Sequence, residues 1–329
     1  MRSFLLKFFL ASFASFSIIF SDFAQEESQW IALITGIKGN VMVKKEGKSE
    51  FVKAKWGTQL FNGDQIRTEP GSEATLSFSE GYILVLDPGS KMTLSDNGSS
   101  PSKETGNYKK LSAAMMMDIS SLTSREASKK DISALAGLRG IDVKEPVDLT
   151  FPSNTYVMTD RPTFEWTPKE DFDNYVINLY NSKGLVWSKR VTGNTLKFPE
   201  NESALDFGET YFWNIEGEAL LDNKKSSNFK FSVLSNDKSQ EVKNQEALIR
   251  MTFDSESDSS SLHSFLGAYY ISQGLLDDAI REFETISKIN PEAPLPHEIL
   301  GSLYSDVGNK DKAIDELQKA LALSKGKEK

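Results

Sequence analysis

This chain has no cysteine. No disulfide can hold it, so its folded parts must rest on core packing alone. A thiol nucleophile, a thiolate metal site and a lipid carried on an N-terminal cysteine are excluded by the same absence. Histidine is nearly missing, with two in 329 residues, which leaves little imidazole for acid–base or metal chemistry. Positive charge is in deficit: 38 Lys and Arg face 47 Asp and Glu, for a formal charge of −9. An acidic chain repels phosphate backbones, so nucleic acid is not expected as a partner. No long apolar run comes after the first 24 residues, so no later membrane span is expected. The chain carries no P-loop, no G-x-S-x-G and no H-E-x-x-H, and nothing in it spaces residues as a catalytic set requires. It is therefore read as a non-enzyme with no cofactor and no metal.

What is present begins at the N-terminus. Arg2 and Lys7 precede an apolar stretch from Phe8 to Phe20 broken only by Ser and Ala. Such a core is short for a membrane helix and suits a signal peptide, assigned to 1–24 with cleavage near Ala24. Asp22 occupies the position where a small neutral residue is usual, so an uncleaved membrane anchor is the alternative. Both place residues 25 onward in the periplasm or cell envelope.

From Trp30 to Leu94 short strands alternate with turns. Asn62-Gly63-Asp64, Gly71-Ser72, Glu80-Gly81 and Pro88-Gly89 punctuate runs such as Ala74, Leu76 and Phe78, where apolar residues recur at every second place. Residues 95–110, rich in Ser, Asn, Gly and Lys, are read as a solvated loop, and Leu111–Met117 as one more strand. The series Gly36-x-x-Gly39-x-Val41, Gly63-Asp64-x-Ile66-x-Thr68, Gly71-Ser72-x-Ala74-x-Leu76-x-Phe78-x-Glu80-Gly81 and Leu84-x-Leu86-x-Pro88-x-Ser90 resembles the FecR-like domain. Ala136-Gly137-Leu138-Arg139-Gly140 is similar to that family's closing segment. The resemblance covers roughly residues 30–145 and implies a β-domain spanning 25–148. Some members relay an outer-membrane iron-uptake signal. With seven residues ahead of the apolar run, this chain is not expected to carry the cytoplasmic segment such regulators use.

Residues 149–236 read as a second β-domain. Phe164 and Trp166, Tyr175 to Leu179, Tyr211 to Ile215 and Phe229 to Val233 each alternate. Seven short strands in about 80 residues suit an immunoglobulin-like or fibronectin III-like sandwich. Period-2 placement sends Trp166, Tyr211 and Trp213 into the core. Trp187, beside a turn, is the one aromatic left as a candidate for stacking on a sugar. Residues 237–259 read as a capping helix for the C-terminal helices, with an acidic, Ser-rich linker.

From residue 260 the chain repeats itself every 34 residues. Leu266-Gly267-x-x-Tyr270 returns as Leu300-Gly301-x-x-Tyr304, Gly274 as Gly308, Ala279-Ile280 as Ala313-Ile314, and His263 as His297. This period and residue order resemble the tetratricopeptide repeat, which implies two helical hairpins in 260–329. The fold class expected is thus multidomain: two all-β domains followed by a tetratricopeptide array. In that family the first helix of each hairpin lines the partner groove, here Ser264, Ala268, Ile271, Ser272, Glu298, Ser302, Ser305 and Asp306. The two histidines, without Cys or clustered carboxylates, are read as packing residues. Two repeats are few for a stable stack, so the capping helix or self-association is expected to close the ends.

The function expected is a non-enzymatic cell-envelope scaffold or adaptor binding a protein partner through its repeats. A FecR-type regulator and a peptidoglycan or other glycan binder are the alternatives.

Overall fold

The computed structural model describes residues 30–95, 106–110, 119, 122, 147–219, 223–253 and 259–325. The signal segment, the expected strand at Leu111–Met117 and Ala136–Gly140 lie outside these residues. Among the described residues no helix is long and apolar enough to cross a membrane.

The first part carries β1 (Ala32–Lys38), β2 (Val41–Lys44), β3 (Val52–Lys53), β4 (Gln59–Leu60), β5 (Gln65–Thr68), β6 (Glu73–Phe78), β7 (Tyr82–Leu86), β8 (Lys91–Thr93) and β9 (Gly106–Lys110). They form a five-stranded sheet, β4-β1-β6-β7-β9, and a four-stranded sheet, β3-β2-β5-β8. The apolar members of the alternation meet in one core, with Ile34, Val41, Ile66, Leu76 and Leu84 all buried. The Glu80-Gly81 turn folds β6 onto β7 and stacks Phe78 on Tyr82 at 4.3 Å. Asp64 does more than turn the chain. Its buried carboxylate accepts from the Lys45 ammonium at 2.6 Å and from the backbone N–H groups of Glu46 and Phe61. The segment read as loop up to residue 110 ends instead in β9, which pairs with β7 from Leu86 to Tyr82. An open sheet edge captured a polar run that local composition assigned to solvent.

The second part holds β10 (Val147–Phe151), β11 (Thr155–Val157), β12 (Thr163–Pro168), β13 (Asn174–Asn181), β14 (Gly184–Val191), β15 (Thr195–Lys197), β16 (Thr210–Glu218), β17 (Lys224–Lys225) and β18 (Phe229–Val233). A three-stranded sheet, β10-β12-β15, and a six-stranded sheet, β11-β18-β16-β13-β14 with β17 on β16, share one aromatic core. Phe164 sits at its centre, edge-on to Trp213 and to Phe231.

Five helices close the chain: α1 (Asn236–Thr252), α2 (Ser260–Ser272), α3 (Leu276–Ile289), α4 (Pro294–Asp306) and α5 (Lys310–Lys325). The 34-residue period becomes two hairpins, α2–α3 and α4–α5. Each hairpin packs through a glycine. A Cβ on Gly267 would sit 2.7 Å from the Phe283 ring, and one on Gly301 would sit 2.5 Å from Leu317. The histidines pair in register too. His263 Nδ1 lies 2.5 Å from Glu282 Oε2, and His297 Nδ1 2.5 Å from Glu316 Oε2. Burial alone would raise the Glu316 carboxyl, but hydrogen bonds from His297 and Lys319 outweigh it and hold that carboxyl below its ordinary range.

The expected fold class, two all-β domains followed by a tetratricopeptide array, is corrected here. The described residues form four sheets followed by five C-terminal helices, and their largest core belongs to no single part. It joins Leu33, Trp56 and Ile83 of the first sheets, Phe151 and Leu234 of the second part, and the helical residues Phe265, Ile280, Phe283 and Leu303. The middle strands also depart from the seven expected. There are nine among the described residues, and β11 runs parallel to β18. The physical reason is burial: two hairpins leave an apolar face uncovered, and the β-sheets cover it.

Candidate binding cleft and the helix–sheet junction

The inner face of α2 is where the sequence placed half of its partner groove. The Trp56 side chain, 1% exposed, reaches it from the loop after β3. Its indole N–H is shared between the Thr35 carbonyl at 2.9 Å and Ser264 Oγ at 3.0 Å, and its ring meets Phe283 edge-on at 6.4 Å. Leu295 of α4 lies on Gly57, the next residue. That glycine has φ +78°, and a Cβ there would meet Leu295 Cδ2 at 2.6 Å. A side chain at position 57 would thus be strained and obstructed at once.

The groove assignment is therefore corrected at its first three residues. Ser264 is fully buried against Trp56 and Thr35, and Ala268 and Ile271 are buried within the shared core. Ser272, Glu298, Ser302, Ser305 and Asp306 keep exposure, so what was expected as one groove is divided. Trp187 is also corrected. It is 8% exposed and packs on Phe198 at 5.0 Å and on Phe164. The cause is an irregularity in the β13–β14 pairing between Leu179 and Tyr180. It sets Trp187 opposite inward-facing Leu179 and leaves Val186 as the extra residue. No period-2 reading locates such a bulge.

A second contact zone joins the hairpins to the middle sheets. Residues 153–156 lie across both interhelix turns. Ser153 Oγ–H donates to the Val307 carbonyl at 2.6 Å, and the Tyr156 N–H to the Gly274 carbonyl at 3.0 Å. The Leu276 N–H donates to Thr155 Oγ1 at 2.9 Å, which supplies a missing partner at the start of α3. Gly274 and Gly308, equivalent in the repeat, are each met by one part of this segment. Truncating Ser153 should cost about 1–3 kcal/mol, because the buried Val307 carbonyl loses its donor. Hydrogen exchange in Ser153→Ala is expected to speed up around Gly308 and not in β1.

Beside this zone sits a buried acid pair. Asp277 is 7% exposed, and its Oδ1 makes no hydrogen bond among the described residues. Burial pushes its carboxyl well up, and neighbouring Asp278 pushes the same way. Arg281 and the Ser153 N–H pull only partly back. Burial likewise lifts Asp278, to about 6, against the pull of Arg281 and with further lifts from Glu246 and Glu282. Arg281 also lies over the Phe151 ring at 4.8 Å.

An open cleft of about 550 Å³ lies where the six-stranded sheet, the start of α1 and the α2–α3 turn meet. Tyr156, Thr210, Ser232, Ser235, Lys238 and Gln273 line it. Ser235 caps α1 by accepting from the Lys238 N–H, and the Lys238 ammonium is engaged by Glu241 at 2.9 Å. Of the groove residues read from the sequence, Ser272 alone reaches this cleft. The cleft itself was not foreseen, since its walls come from strands and turns more than 100 residues apart. The nearest signal in the sequence was the outward half of each alternating strand, which period-2 spacing marks as polar without saying what it faces. Among the described residues no three His, Asp or Glu side chains gather as a metal set would.

No family model matches the chain, and no curated protein matches it. Among solved structures it has a distant likeness to a β-1,2-glucanase from Parabacteroides distasonis, at 11% identity and a TM-score of 0.23. The match covers 90% of this chain and 60% of that one, so this chain spans less than two thirds of that enzyme's length. A likeness at that score carries no argument about fold or activity.

Proposed function

We propose that this protein is an exported, non-enzymatic scaffold of the cell envelope that holds a protein partner on its helical side. The observation that carries this reading is the Trp56 joint. By tying the β-sheets to α2 and α3 through one shared core, it makes the helices part of a rigid body instead of a free clamp. Partner contact then falls to the side of α4 that stays open, at Ser302 and Ser305. The N-terminal Arg2, Lys7 and Phe8–Phe20 pattern supports export. The resemblance to FecR-like domains and tetratricopeptide repeats supports a place in envelope assembly.

Two measurements test it. Residues 1–24 fused to a reporter that is active only outside the cytoplasm should give activity; a silent fusion removes the envelope from the proposal. A photo-crosslinking residue at position 302 of the full chain should give an adduct with another envelope protein, whereas one at position 264 should react only within the chain. Equal external adducts from both positions would sink the scaffold reading, since Ser264 would then have to be open.

A further inference from the structure

The outer face of the six-stranded sheet carries an arrangement that its own core does not need. Inward residues Tyr211, Trp213, Phe231, Ile177 and Trp187 build the core. Pairing registers place the outward residues in rows that cross the strands. One row runs Tyr156, Ser232, Thr210 over β11, β18 and β16. The next runs Lys230, Phe212, Tyr180, Leu185 over β18, β16, β13 and β14. A third brings Asn214, Asn178 and Ser188 together.

These rows differ in chemistry. The first forms the wall of the cleft. The second exposes large apolar surface: Phe212 is 38% and Leu185 59% exposed, with half-buried Tyr180 between them. The third is a chain of neutral amides. Asn214 Nδ2 donates to Asn228 Oδ1 at 2.7 Å, Asn178 Nδ2 donates to Asn214 Oδ1 at 3.2 Å, and Ser188 Oγ donates to Asn178 Oδ1 at 2.8 Å. A primary amide can make about four hydrogen bonds. Asn214 itself is buried, at 1% exposed, and serves to orient Asn178. Asn178 makes two among the described residues and reaches the surface with capacity remaining. Near the ladder Arg190 is paired with Glu218 at 2.7 Å, and Glu216 accepts a hydrogen bond from the Asn223 amide.

An aromatic strip flanked on one side by oriented amides and on the other by hydroxyls fits one class of ligand well. The C–H face of a sugar ring lies on an aromatic ring, while its hydroxyls exchange donor and acceptor hydrogen bonds with amides. A charged polymer would meet no opposite charge on the amide ladder. The exposed Lys230 stands at the β18 end of the aromatic row, and an oligogalacturonate probe tests whether it recruits an anion instead. An all-apolar partner would strand it. Neighbouring strands are about 4.8 Å apart, close to the length of one pyranose in an extended chain.

We propose that this face, from the cleft at Tyr156 and Thr210 to the Phe212–Tyr180 strip and to Asn178 and Ser188 beyond it, binds an uncharged saccharide chain. The site replaces Trp187, which the core has taken, with residues on the opposite side of the same strands. The proposal rests on the reading of the protein as a non-enzymatic envelope scaffold and names a second ligand for it.

The test is isothermal titration of the full chain with two neutral probes, a glucose tetramer and an N-acetylglucosamine tetramer, alongside an oligogalacturonate. At least one neutral tetramer should bind. Phe212→Ala and Tyr180→Ala should each weaken it about tenfold or more, with Met251→Ala on α1 leaving it unchanged. Both sheet positions face outward, so melting curves should stay near wild type; binding lost together with folding is re-read with Asn178→Asp, which keeps size and changes only chemistry. Binding of neither tetramer, binding indifferent to the sheet substitutions, or binding of the charged oligomer alone overturns the proposal. Chromatography of the titrated sugar separates this outcome from the scaffold reading: a cleaved tetramer keeps the site and ends the non-enzymatic reading. A silent export reporter does the reverse.

Discussion

Trp56→Ala should unfold the helical part before it touches the middle sheets. The substitution removes a fully buried indole, for which truncations cost about 3–5 kcal/mol. It also leaves the Thr35 carbonyl and Ser264 Oγ without their shared donor, at about 1 kcal/mol or more for a buried group. Against a whole-domain stability of about 5–15 kcal/mol, that is a large fraction. Urea unfolding followed by far-UV circular dichroism should show the helical signal lost at markedly lower denaturant. Trp56→Phe keeps most of the ring against Phe283 and should recover more than half of the loss. If the alanine variant melts like wild type, Trp56 does not join the helices to the sheets, and the scaffold proposal loses its main support.

The second large effect is a dependence on pH set by the acid pair at the start of α3. Asp278 has a folded value of about 6 against an ordinary 3.8. Between those two values the folded state holds a proton that the unfolded chain has given up. Stability therefore increases as pH falls through the window from about 6 to about 4, and is lower above it. Each pH unit of separation is worth about 1.4 kcal/mol, so the Asp278 contribution is on the order of 3 kcal/mol, and Asp277 acts in the same direction from a more buried position. The groups that face the pair are Glu165 from β12, the Ser153 N–H from the segment before β11, Glu246 from α1, and Arg281 and Glu282 from α3 itself. Glu316, held below its ordinary range, works the other way as pH falls below that range. Thermal melts at pH 5 and pH 7.5 should place the wild type higher at pH 5. Asp277→Asn should raise the melting temperature at pH 7.5 and shrink the difference, because the amide needs no charge desolvated. A wild type that melts higher at pH 7.5 would contradict the sign.

Part of this architecture could be read from residue order alone. The turn glycines and the alternation in β6, β7, β13 and β16 depend on backbone sterics and on a period of two, which are local. The 34-residue recurrence of Gly267 with Gly301 and of Ala279 with Ala313 marks close helix contacts within each hairpin, which are local as well. The same spacing matches His263 to His297 and Glu282 to Glu316, but not the contact of each histidine with the glutamate on the opposite helix of its hairpin. The strand β9 was missed because it is made by the free edge of β7 and not by its own composition.

What the sequence determined by itself, then, is the set of local elements, their turns and the repeat, since each arises from backbone preference and apolar period. What only the tertiary structure decided is which faces those elements spend on one another. Burial of the hairpins' apolar side closed the expected groove at Ser264, Ala268 and Ile271. A one-residue irregularity beside Tyr180 turned Trp187 inward. Residues more than 100 positions apart met at the cleft. Each outcome depends on apolar surface leaving water at long range, which no local spacing encodes.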